Sequence, residues 1–122
     1  MSHLFVIDDD DFFRDTLVQM LEREGHKVTA TNDAARALEQ LDRSRVDLIL
    51  TDILMPGMDG MEFIMELSKR SYNTPVIAMS GGRRSLTSTF TLESAKLLGV
   101  KITLTKPFTL MELRTALEKA LA

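Results

Sequence analysis

Short apolar runs alternate with amphipathic stretches along this chain. Residues 4–7 form a continuous apolar run, too short for a helix and closed by acids, which predicts a buried strand. Phe13, Leu17, Met20 and Leu21 then recur at helical spacing, and Gly25 suits the left-handed position that ends many helices. Residues 27–31 suit a second, less buried strand. Asn32 or Asp33 can cap a helix bearing Ala34, Ala37, Leu38 and Leu41. A third strand spans 46–51, with Leu48, Ile49 and Leu50 at its centre. Residues 55–60 are turn chemistry throughout, and Asp59 with Glu62 forms a capping box for a helix through Lys69. A fourth strand at 75–79 ends in Ser80, Gly81 and Gly82. One helix lies between Arg83 and Gly99, with Leu92, Ala95 and Leu98 on one face. Residues 100–104 make a fifth strand. Thr109 and Glu112 form a second capping box, and Leu110, Leu113, Leu117 and Leu121 line a final helix.

Five strand–helix pairs in strict alternation predict an α/β fold of (βα)5 type. Parallel strands need crossovers, and crossover helices cover both faces of the sheet, so the sheet is doubly wound. A length of 122 residues fits one domain with a core large enough to fold without staples. The absence of cysteine removes disulfides, thiolate metal sites and cysteine nucleophiles, and His3 and His26 are too few for a three-histidine metal site. A net charge of −3 and a pI near 5.3 argue against direct nucleic-acid binding. Neither a signal peptide nor a membrane-length apolar stretch is visible, so a cytoplasmic domain without membrane insertion is expected.

In open parallel sheets, sites form outside the carboxyl ends of the strands. Asp8, Asp9, Asp10 and Asp11 follow the first strand, Asp52 the third, Ser80 the fourth, and Thr105 and Lys106 the fifth. Singly, each has an ordinary reading: a helix cap for Asp10 or Asp11, a turn for Asp52 or Ser80, a loop charge for Lys106. Together they gather several acids, one hydroxyl and one lysine at a single edge. Crowded carboxylates repel unless a cation sits among them, and oxygen ligands suit a hard ion such as Mg²⁺.

Val6-Ile7-Asp8-Asp9, Leu48 to Asp52 with the Met55 to Gly60 loop, Ser80, and Lys106-Pro107-Phe108 together resemble the receiver domain of two-component response regulators. The likeness covers essentially the whole chain. It implies a flavodoxin-like strand order of 2-1-3-4-5 and a single receiver domain over residues 1–122, with no output domain in this chain. It implies that Asp52 accepts a phosphoryl group, that Asp8, Asp9, Asp52 and the backbone carbonyl of Leu54 hold Mg²⁺, and that Ser80 and Lys106 contact the phosphoryl oxygens. The Lys106–Pro107 peptide is cis in such domains. The partners implied are a sensor histidine kinase or histidine phosphotransfer protein and an unnamed downstream protein, bound through the helix between Arg83 and Gly99, the fifth strand and the last helix. A phosphorylation-dependent dimer fits the same surface. Arg14 and Glu22 are expected as exposed side chains of the first helix that set partner specificity.

Two features depart from the pattern. Thr103 stands where relatives commonly carry a tyrosine or phenylalanine, and the segment from Ser80 to Lys106 is longer than usual, opening with Gly81, Gly82, Arg83 and Arg84. A degenerate receiver that binds partners without phosphorylation is the alternative, and the intact acid, serine and lysine set argues against it. A haloacid-dehalogenase-type phosphatase with Asp8 as nucleophile leaves Asp52 and the Lys-Pro-Phe run unexplained. An EF-hand at 8–15 lacks its glycine, and a flavin site lacks a phosphate loop.

Overall fold

In a computed structural model of the chain, residues 2–53, 60–70, 73–81 and 100–122 are described. The elements run β1 (His3–Ile7), α1 (Asp11–Arg23), β2 (Lys27–Thr31), α2 (Ala34–Leu41), β3 (Leu48–Asp52), α3 (Gly60–Lys69), β4 (Val76–Gly81), β5 (Ile102–Lys106) and α4 (Leu110–Leu121). All five strands join one parallel sheet in the order β2-β1-β3-β4-β5. The doubly wound, flavodoxin-like fold is therefore present, and its order reverses between β1 and β3. The helix expected between Arg83 and Gly99, and the Asp59 half of the capping box before α3, lie outside the described residues.

The two faces of the sheet carry separate cores. Phe5, Ile7, Ile49 and Ala78 pack with Ala37, Leu38 and Leu41 of α2 and with Phe63, Ile64 and Leu67 of α3. Leu4, Val6, Leu48, Leu50, Ile77, Met79 and Leu104 pack with Leu17 and Leu21 of α1 and with Leu113, Ala116 and Leu117 of α4. Burial on both sides is why β1, β3 and β4 read as unbroken apolar runs instead of alternating ones. The half-buried β2 sits at the sheet's edge and reads more weakly.

Strand ends differ from the apolar pattern by about two residues where the ladder outlasts the apolar side chains. β4 continues through Ser80 and Gly81, which pair with Thr105 and Lys106 of β5, and β5 opens at Ile102, two residues past Val100. Backbone pairing is indifferent to side-chain polarity. The ends that matter for chemistry are thus inside the sheet and share its rigidity.

Helix ends follow local chemistry closely. Asp10 caps α1 by accepting from the Phe13 amide at 3.0 Å, and Asp33 caps α2 through the amides of Ala35 and Arg36. Thr109 and Glu112 form both halves of the capping box that starts α4. At the end of α1, Gly25 adopts φ 92°, its amide donates to the Glu22 carbonyl, and the His26 amide donates to the Leu21 carbonyl. That pair of bonds is a Schellman closure. Beside it, Arg114 of α4 donates to Glu24, which holds the Glu24 carboxyl below its usual range. Among the described residues, no helix is long and apolar enough to cross a membrane.

A side chain added at Gly25 meets no atom within 4 Å, so the left-handed backbone alone resists substitution. Gly25→Ala is expected to lower stability by about 1–2 kcal/mol, read as a lower urea midpoint at constant slope. An unchanged midpoint would show that the turn relaxes.

Candidate functional site

Side chains in a strand alternate between faces. Leu4 and Val6 in β1, Leu48 and Leu50 in β3, and Ile102 and Leu104 in β5 all face α1 and α4. The next residue in each of these three rows is Asp8, Asp52 and Lys106. Hydrophobic registers that build one core therefore deliver two carboxylates and an ammonium to the same corner of the sheet. Ser80 belongs to the other row, after Val76 and Ala78.

The Lys106 ammonium donates to Asp8 Oδ2 at 2.6 Å and to Asp52 Oδ2 at 3.4 Å. Asp8 is fully buried, Asp52 nearly so, and the lysine side chain is 14% exposed, so little water screens these contacts. The other Asp8 oxygen accepts from the Asp10 amide at 2.9 Å, which fixes the carboxylate plane. β3 is held straight through its end, because the Ile53 amide donates to the Met79 carbonyl at 3.0 Å and the buried Thr51 hydroxyl donates to the Asp52 carbonyl at 2.9 Å. The Lys106–Pro107 peptide is cis, as the resemblance implied.

Asp9 is exposed, and its carboxylate joins those of Asp8 and Asp52 so that one oxygen of each lies within 4.8 Å of the others. Opposite oxygens around Mg²⁺ stand about 4 Å apart, so this oxygen-only donor set fits a small hard cation. Among the described residues, three carboxylates face one lysine, a charge pattern that suits a divalent ion. Leu54, whose carbonyl was the fourth expected ligand, lies outside the described residues. The Ser80 hydroxyl is buried and has no hydrogen-bond partner among the described residues. A buried hydroxyl in that condition is a donor awaiting an acceptor.

Asp10 and Asp11 are outside the carboxylate cluster. Asp10 caps α1, and Asp11 accepts from Arg14 Nη2 at 2.8 Å. Arg14 departs from expectation. Instead of projecting freely, its side chain is 16% exposed and its Nη1 donates to the Asp8 carbonyl at 2.8 Å, clamping the turn between β1 and α1. Phe13 is a second residue whose position helical spacing did not reveal. Its ring lies under the Lys106 ammonium, 4.1 Å from the centroid, and meets Phe108 edge-on at 5.6 Å and 86°. Spacing places Phe13 on the apolar face of α1, but only the reach of the Lys106 side chain from the end of β5 brings the ammonium to its ring.

Residues 4–118 match the family described as the response regulator receiver domain. The sensory transduction protein RegX3 of Mycobacterium tuberculosis is 31% identical over 113 residues, which cover 93% of this chain and 48% of that protein. The DNA-binding transcriptional regulator NtrC of a Bradyrhizobium strain is 34% identical over 119 residues, covering 98% of this chain and 24% of that protein. The chain thus spans about half the length, or less, of these curated relatives. The crystal structure of the receiver domain of NtrX from Brucella abortus shares the fold with a TM-score of 0.88 at 30% identity, over 97% of each chain. A family match running from the first strand into the last helix, on a sheet of the same order, makes this chain a member of the response regulator receiver domain family of two-component signalling.

Proposed function

We propose that this chain is a phosphoacceptor in which Asp52 takes a phosphoryl group from the phosphohistidine of a sensor histidine kinase or a histidine phosphotransfer protein. The observation that best supports this reading is the position of Asp52, at the end of a buried strand, clustered with Asp8 and Asp9 and in reach of Lys106. An Asp52 carboxylate oxygen attacks phosphorus, the P–N bond to the donor imidazole breaks, and the bonding pair stays on the ring nitrogen, which takes up a proton. Attack by one anion on another is opposed by repulsion, so the site's work is positioning and charge neutralisation. Asp8, Asp9, Asp52 and the Leu54 carbonyl would hold Mg²⁺, which would neutralise charge on the phosphoryl oxygens.

Lys106 already touches Asp52 and shifts its donors toward the new oxygens. Ser80 donates its hydroxyl, which has no partner among the described residues, to one of them and so relieves the cost of a buried unsatisfied donor. Aspartyl phosphate adds about −1.5 to −2 charges and three acceptors. Those acceptors draw Ser80 and Lys106 inward from adjacent strands, and the surface around β5 and α4 changes for a downstream protein or a second copy. Thr103, half-buried in β5, offers no ring to report the change, so the output here relies on Ser80 and Lys106. Residues 1–122 act as one receiver domain in a cytoplasmic setting, without contact to nucleic acid through this domain.

Incubation with Mg²⁺ and acetyl phosphate is expected to add one phosphoryl mass to the wild type and none to Asp52→Asn, read by intact mass spectrometry. An adduct retained by the variant would move the acceptor elsewhere. A chain that only binds partners would show none in either.

Because Asp10, and not Asp9, caps α1, Asp9→Ala should cost no fold stability. In the absence of divalent ions it should stabilise the chain by about 1 kcal/mol through relief of like-charge crowding. Loss of several kcal/mol in a urea titration would instead assign Asp9 a structural role.

A further inference from the structure

The geometry points to Phe13 as a positioning residue for phosphoryl transfer, acting through Lys106; this rests on the phosphoacceptor reading above. An ammonium has three donors. Two of the Lys106 contacts are carboxylates, Asp8 at 2.6 Å and Asp52 at 3.4 Å, and a further side of Nζ faces the Phe13 ring at 4.1 Å. With the side chain only 14% exposed, the ring stands where water would otherwise solvate the cation.

A ring face attracts a cation without accepting a directed proton. A third carboxylate here would tie the ammonium down and add to the crowding of acids. Phe13 holds the ammonium near the carboxylates while leaving it free to pivot from Asp8 toward Asp52 and a phosphoryl oxygen. The ring is itself held, because Phe108 meets it edge-on at 5.6 Å and 86°, the favourable geometry for two aromatic quadrupoles. Phe108 follows Lys106 by two residues, so the lysine and the brace of its platform come from one short segment. Phe12, the neighbouring residue in α1, is 83% exposed, and its ring takes no part in this arrangement.

The test compares Phe13→Leu, which keeps apolar bulk and loses the ring face, with Phe13→Tyr, which keeps both. Rates of phosphoryl uptake from acetyl phosphate at saturating Mg²⁺ are measured for each, alone and in a Lys106→Ala background, alongside melting curves. Phe13→Leu should slow uptake about three- to tenfold, Phe13→Tyr should restore the wild-type rate, and Phe13→Leu should have no further effect once Lys106 is gone. The contact is read independently by NMR: the Lys106 ε-methylene protons should lie upfield in the wild type and Phe13→Tyr through the ring current, and return toward ordinary lysine shifts in Phe13→Leu. An unchanged rate in Phe13→Leu, or equal slowing with and without Lys106, overturns the positioning role. A wild type that takes up no phosphoryl group overturns the phosphoacceptor reading instead, and with it any role for Phe13 in transfer; the NMR shift then decides only whether the contact exists.

Discussion

A single ammonium, Lys106, sits against a buried Asp8 and a nearly buried Asp52, and much of the molecule can be read as the means of putting it there. Carboxylates taken out of water are costly unless paired, and pairing inside a protein requires partners that do not move. Rigidity comes from the sheet. Asp52 and Lys106 are the last residues of their strands, and Asp8 stays on the ladder through its amide, which donates to the Thr31 carbonyl at 3.2 Å. Strands from opposite ends of the sequence supply the ion pair, so the site exists only when the whole sheet is assembled.

The doubly wound arrangement also explains how the charges are distributed. Asp8, Asp52 and Lys106 share a face because they continue the same alternation as Leu4 and Val6, Leu48 and Leu50, and Ile102 and Leu104. Asp9 falls in the opposite phase, on an exposed turn, and reaches the cluster without bringing a cation of its own. Arg14, on the first turn of α1, is engaged with the Asp8 carbonyl and with Asp11. Among the described residues, three carboxylates thus share this corner with one lysine, beside a buried Ser80 hydroxyl that has no partner there. A site of that character is suited to a transient anion carried in with a metal ion.

Most of this was legible in the sequence where one physical cause dominates locally. Apolar runs marked β1, β3 and β4 because a sheet covered on both faces needs them, and Asp10, Asp33, Gly25 and the Thr109–Glu112 box marked helix ends because capping is short-range. The strand ends were two residues off at β4 and β5, since ladder bonds at Ser80 and Gly81 depend on a neighbouring strand more than twenty residues away. The acid, serine and lysine set was visible from its position after successive strands. The roles of Phe13 and Arg14 were hidden, because helical spacing reports which face a residue occupies and not which cation or carbonyl crosses over it.

The central claim is that the cluster of Asp8, Asp9 and Asp52 binds a divalent cation, as proposed above. It is tested most directly by the melting temperature of the wild-type chain as Mg²⁺ is titrated, with NaCl controls at matched ionic strength. The account predicts a saturable rise specific to Mg²⁺, reaching about 2.7 kcal/mol of stabilisation at one hundred times the dissociation constant. A melting temperature that follows ionic strength alone, identical for the two salts, would contradict it.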